Sequence, residues 1–174
     1  TDDDTLTVDS GGTLNYYWPA VDADYRTFSS STTAVTNNGT ITGAGYLVDF
    51  RSSTNAKLVN NGTMTATSSS RALYINNSAN TTITNNGTIQ ISSSNAYEAI
   101  DGDSTTDLTI TNASGATISS AGDDAIAIAS AEDVTITNAG TISAADDNII
   151  DADGIDGLTL TNSGTMSATD DFGL

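Results

Sequence analysis

The sequence predicts an all-β fold: a right-handed parallel β-helix, or β-solenoid, with three short strands per coil. About seven coils form a single domain over residues 1–174. Three observations predict it. One phrase recurs, as VTNNGTITG (35–43), LVNNGTMTA (58–66), ITNNGTIQI (83–91), ITNAGTISA (136–144) and LTNSGTMSA (160–168). Its reference asparagines, Asn37, Asn60, Asn85, Asn112, Asn138 and Asn162, are spaced 23, 25, 27, 26 and 24 residues apart. Within each copy apolar and small polar residues alternate, the period-two pattern of a strand with one buried face.

Each repeat reads as three strands. The first ends at the asparagine and carries the apolar column Val35, Leu58, Ile83, Ile110, Ile136 and Leu160. The second follows the glycine, with Ile41, Met64, Ile89, Ile118, Ile142 and Met166. The third carries Leu47, Leu73, Ile100, Ile126 and Ile149. Glycine in the repeat and β-branched content disfavour helix. The period is too short for a propeller blade of ~40–45 residues. Coils hydrogen-bonded at roughly 4.8 Å give seven of them a length of about 34 Å. Asparagine and glycine suit the turn between the first two strands because both tolerate left-handed backbone angles. Stacked asparagine amides are expected to bond along the axis.

A degenerate copy, LTVDSGGTL (6–14), precedes the clear repeats, and LNYYWPAVDADYRTFSSSTT (14–33) departs from the pattern. That stretch holds Tyr16, Tyr17, Trp18, Tyr25, Arg26 and Phe28. It reads as a non-repeat insertion, either a cap packed over the first coil or an interface loop for a neighbouring subunit or a sugar.

The chain has 22 acidic and 4 basic residues, no histidine and a net charge of −18. Nucleic-acid binding needs clustered Lys and Arg and is excluded as an expectation. Direct membrane insertion is not expected, since no apolar run is long enough to span a bilayer. The absence of cysteine excludes disulfides and thiolate chemistry. The chain starts at Thr1, which suggests a mature form or a fragment.

The acidic residues are patterned. GDDAIAI (122–128), ADDNIID (145–151) and TDDFGL (169–174) align Asp123 with Asp146 and Asp170, and Asp124 with Asp147 and Asp171. Glu98 takes the equivalent place one coil earlier. Like charges on adjacent strands repel. The column is either a solvated acidic edge or a calcium ladder, since calcium takes six to eight oxygen ligands. No cofactor is required by the sequence; calcium is the one it could use.

The N-x-G-T-[IM]-[ST] repeat, the short polar coils, the lack of cysteine and the acidic balance resemble the passenger regions of bacterial autotransporters and related secreted β-strand-repeat proteins. The resemblance implies a secreted or cell-surface location. GDDAIAI and DADGID also resemble pieces of the polygalacturonase family, which would give Asp123, Asp124, Asp153 and Asp156 catalytic roles. The order of the two pieces is reversed here. That family's histidine and Arg-x-Lys motifs have no counterpart, so the chain is read as a non-enzyme.

The leading expectation is an extracellular structural subunit that stacks head to tail into a surface or matrix filament, with calcium assisting. Leu6, Val8 and Leu14 would meet Leu158, Leu160, Met166, Phe172 and Leu174 of the next copy. The alternative is a monomeric passenger segment of an adhesin that meets surface glycans or a host or neighbouring cell. A further alternative is an ice-binding solenoid, from Thr-x-Thr pairs such as Thr109/Thr111 and Thr135/Thr137.

Overall fold

The computed structural model describes residues 4–17, 19–28 and 32–169. Among these the chain winds as a parallel β-solenoid with three strands per coil, and every strand pairs with its counterpart one coil away. The first sheet runs from Leu6–Val8 through Val35–Asn37, Lys57–Asn60, Thr82–Asn85, Thr109–Asn112 and Thr135–Asn138 to Thr159–Asn162. The second runs from Thr13–Tyr16 to Thr165–Ala168, also with seven strands. The third has six strands, from Val21–Asp22 to Ile150–Asp151, each two residues long.

The alternation places side chains as expected. Strands of the first two sheets alternate half-exposed threonine with fully buried aliphatic residues. Ile83, Ile110 and Ile136 stack in one buried column, and Ile89, Ile118 and Ile142 in another. Each such side chain contributes about 1.5–3 kcal/mol by leaving water. Outside, Thr13, Thr40, Thr63, Thr88, Thr117, Thr141 and Thr165 form one unbroken ladder.

The third column differs from the sequence alignment by one position at two coils. Val48 and Ile150, not Leu47 and Ile149, pair in register with Leu73, Ile100 and Ile126. Leu47 and Ile149 are buried too, one position earlier, where the other coils carry Ala72, Ala99 and Ala125. Two adjacent apolar residues hid the register.

The aromatic stretch is also not an insertion. Thr13–Tyr16 pairs with Thr40–Gly43, Val21–Asp22 pairs with Val48–Asp49, and Thr27 bridges Thr54. The described residues 14–17 and 19–28 therefore belong to the first coil. Phe28 turns inward and meets Phe50 edge-on at 6.4 Å. It anchors this coil inside the chain and is not a surface contact.

The asparagine column is a continuous buried amide ladder. Asn37 Nδ2 donates to Asn60 Oδ1 at 2.7 Å, and Asn60, Asn85, Asn112 and Asn138 each donate onward at 2.8 Å. The same amides donate to the Thr63, Thr88, Thr117, Thr141 and Thr165 carbonyls of the next coil at 2.9–3.1 Å. Asn38, Asn61 and Asn86 form a second, exposed ladder whose donors point the opposite way.

The turn glycines serve a purpose other than the expected one. Gly39, Gly62, Gly87, Gly140 and Gly164 do not have positive φ. A Cβ on Gly62 or Gly87 would lie 2.0 Å from the glycine carbonyl oxygen of the preceding coil. That oxygen already accepts the N–H of Thr63 or Thr88 at 2.9 Å. The repeat glycine is thus required by backbone approach between coils. Left-handed residues occur instead at the corner after the third strand, where Ser52, Asn77, Ser104 and Ser130 share one position at φ 54–56°. Short polar side chains tolerate that region best.

These two uses of glycine separate experimentally. Gly87→Ala and Gly87→Asn should both destabilise the domain by at least about 1–3 kcal/mol, as overpacking does. At Gly115, which has φ +82° and open space around it, Ala should cost about 1–2 kcal/mol while Asn is nearly neutral. Asn85→Ala, which interrupts the ladder at mid-rod, should cost about 3 kcal/mol. Denaturant unfolding reads all five variants.

Candidate functional site

Chemically distinctive side chains concentrate on the third sheet and its flanks. Each third strand is only two residues long, so the residues that flank it decide what its outer surface presents. Counting back two residues from the paired positions, one column runs Tyr46, Arg71, Glu98, Asp124, Asn148. Counting forward one, another runs Asp49, Tyr74, Asp101, Ala127, Asp151.

Two arginines organise the first half of this face. Arg51 grips the buried carboxylate of Asp49 with two parallel bonds, Nε to Oδ1 at 3.0 Å and Nη2 to Oδ2 at 2.7 Å. Arg71 Nε donates to Glu98 Oε1 and lies 2.7 Å from Asp101 Oδ2. Their guanidinium faces stack on tyrosines. Arg51 lies 4.9 Å from the Tyr74 ring and 6.0 Å from Tyr46, and Arg71 lies 5.1 Å from Tyr74 and 4.7 Å from Tyr97. The Tyr46 and Tyr74 rings are 4.7 Å apart. The result is a stack of rings and guanidinium groups across three coils, with Tyr46 and Tyr74 tilted by 46°, held by cation–π attraction and by the need to neutralise buried carboxylates.

One arginine does not fully balance two buried acids. Burial pushes Asp101 up to about 7, and nearby Glu98 and Asp103 add to the rise. The Asp103 N–H and Arg71 oppose it. Burial and the Asp101 charge likewise push the Tyr74 phenol up.

The acidic column continues in the next coils, with its register shifted by one from the sequence alignment. Because Ile126 pairs with Ile150, Asp123 stacks with Asp147, not Asp146, and Asp124 stacks with Asn148 above and Glu98 below. Asp123, Asp124 and Asp147 each bring a carboxylate oxygen within 4.8 Å of the others. Asp124 is buried, and its Oδ1 accepts the Asn148 N–H at 2.8 Å. Burial pushes Asp124 up to about 7, with help from the Asp123 and Asp147 charges. Burial also raises Asp123, with Glu98 and Asp147 contributing. Asp146 is exposed and lies outside this trio. Asp170 and Asp171 lie outside the described residues. Asp153 and Asp156 fall past the third strand, where Asp156 bridges Glu132, so they do not join Asp123 and Asp124 in one site.

The remaining candidates scatter. Tyr16, Tyr17 and Tyr25 are 56 %, 81 % and 76 % exposed, and Arg26 lies 4.0 Å from Asp4. At the two ends, Leu6, Leu14, Leu158, Leu160 and Met166 are half-buried, while Val8 is buried. Trp18, Phe172 and Leu174 lie outside the described residues. The tyrosine–arginine stack was missed from sequence. Its signal was a planar residue just ahead of each third strand, in YLVDF (46–50), RALYI (71–75) and YEAID (97–101).

Fold and face together define a parallel β-solenoid domain whose chemistry lies on its lateral surface. A family model described as the BigA third pectate lyase-like domain matches residues 1–173, and the chain belongs to that family. It is a β-helix-type domain from a bacterial surface protein, which suggests an extracellular or cell-surface location. No curated protein and no solved structure matches the chain.

The raised carboxyls set a pH dependence. Asp101 and Asp124 hold protons in the folded state up to about pH 7, whereas unfolded they ionise near 3.8. Between those values the folded state binds more protons, so stability falls as pH rises through 7. The melting temperature should therefore increase from pH 8 to pH 5. Asp124→Asn, which keeps the acceptor for Asn148, should raise it at pH 8 and flatten the slope.

Proposed function

We propose that the domain is a rigid, monomeric display rod of a bacterial surface protein, which holds lateral binding surface away from the cell. One observation carries this reading above a stack of this domain on itself: the first and last described coils do not carry matching ladder residues. Asn162 accepts from Asn138, and in a continued ladder its own Nδ2 would donate to the next coil. At the opposite end the ladder position is Val8, paired in register with Asn37. In a head-to-tail stack, Asn162 of one copy would meet Val8 of the next. A buried amide without an acceptor costs about 1–3 kcal/mol, and a −18 protein repels its own copies.

The filament remains the second reading because Leu6 and Leu14 at one end and Leu160 and Met166 at the other are half-buried apolar residues. Non-enzymatic action is supported by the lack of histidine and cysteine and by the engagement of Arg51 and Arg71 with carboxylates. Calcium in this reading is an accessory that neutralises the Asp123, Asp124 and Asp147 trio.

Sedimentation and electron microscopy at about 1 mM EDTA and about 5 mM calcium test the reading. The expected result is single short rods in both, with calcium raising the melting temperature of the wild type but not of Asp124→Asn. Filaments in either condition would overturn it. Val8→Asn supplies the missing amide and should shift the protein toward end-to-end stacks.

A further inference from the structure

The corner between the second and third sheets of the first coils carries a feature that the rod itself does not use. A groove of about 430 Å³ is lined by Asn15, Tyr16, Tyr17, Gly43, Ala44 and Thr67. It is shallow and open to solvent, suited to contact with one face of a small ligand rather than to its enclosure. We propose that this groove is a subsite for a neutral hexopyranose unit of a surface glycan.

The lining chemistry selects that class. Two neighbouring tyrosines stand open to solvent, 56 % and 81 % exposed, although the solenoid has an apolar interior available. Tyrosine rings provide rigid, amphipathic contact area at low entropic cost, and a pyranose offers a flat C–H face to such a ring. Gly43 and Ala44 keep the floor low. A Cβ at Gly43 would come 2.5 Å from the Tyr16 carbonyl oxygen, so the backbones of the first two coils lie in close contact beside the groove. Thr67 spends its hydroxyl proton on the Gly43 carbonyl at 3.1 Å, which leaves its oxygen to accept from a ligand hydroxyl. The exposed Asn15 side chain can donate and accept.

Charge completes the argument. The lining contains no Lys or Arg, and the −18 protein repels uronates, sialic acids and sulfates. It also contains no Asp or Glu, so nothing in it selects a basic peptide. The polar edges argue against a purely apolar ligand. A neutral, hydroxyl-rich ring with one apolar face satisfies all three conditions.

This proposal rests on the display reading for its purpose, and the experiment keeps the two apart. The full chain is applied to a printed panel of neutral, sialylated, uronate and sulfated glycans. The strongest neutral glycan is then titrated by calorimetry against wild type, Tyr17→Ala, Tyr17→Phe and Ala44→Arg. Melting temperature and sedimentation are recorded for every variant. Binding should be confined to neutral glycans, fall roughly 10-fold in Tyr17→Ala, fall at least as far in Ala44→Arg, and stay within about 2-fold in Tyr17→Phe. Absence of binding across the panel, preference for acidic glycans, or affinity unchanged in a folded Tyr17→Ala variant would each overturn the subsite while leaving a monomeric rod standing. Self-association of the wild type that Tyr17→Ala abolishes would overturn it too, by making the groove a contact between copies. Polymers that persist in Tyr17→Ala would overturn the rod alone.

Discussion

Backbone contact between successive coils at the asparagine–glycine turn is the constraint on which the rest depends. There the carbonyl of one glycine accepts the threonine N–H of the next coil and lies too close to the next glycine for any Cβ. The asparagine amide beside it bonds upward to its equivalent and across to the next coil's second strand. Each coil is thus tied to its neighbour by backbone, by side chain and by exclusion of bulk, all at one corner. Register follows, and once it is set at that corner the aliphatic columns fall into line.

A stack held this way tolerates local variation elsewhere. The coil at 113–116 carries two extra turn residues, with Gly115 at φ +82° and Ala116 in the usual glycine place, yet the strands on either side stay paired. The third sheet, with two-residue strands, is the least constrained of the three by backbone pairing. It is also where tyrosine, arginine and carboxylate columns collect. Variation in side-chain chemistry is cheapest where the ladder is short, and a solenoid in which each coil contacts only its neighbours can change one face without disturbing the others.

Charge divides the rod. Around Tyr46 to Tyr97, arginines pair with the buried acids, whereas among the described residues no ion pair reaches Asp123, Asp124 and Asp147, and burial raises the Asp123 and Asp124 carboxyls. Along the first and second sheets the outer positions are mostly threonine and serine, with Lys57, Val59 and Gln90 among the exceptions, and they pack across strands with little charge.

The sequence alone was sufficient for the architecture: three strands per coil, the buried columns of the first two sheets and the amide ladder. All of these are written as residues equivalent from copy to copy at spacings of 23–27. It misjudged what depends on contact between copies. The glycines looked like a conformational requirement because a sequence shows residue type, whereas the steric demand comes from a carbonyl in another coil. The acidic column was misaligned by one because Asp123–Asp124 and Asp146–Asp147 match as pairs, and only the pairing of Ile126 with Ile150 decides which carboxylates meet. Residues 14–33 looked foreign because their side chains are, yet the described strands Thr13–Tyr16 and Val21–Asp22 pair as parts of a coil. The tyrosine–arginine stack was decided by tertiary structure alone. Its members come from different offsets in different coils, and they become neighbours only when the coils are superposed.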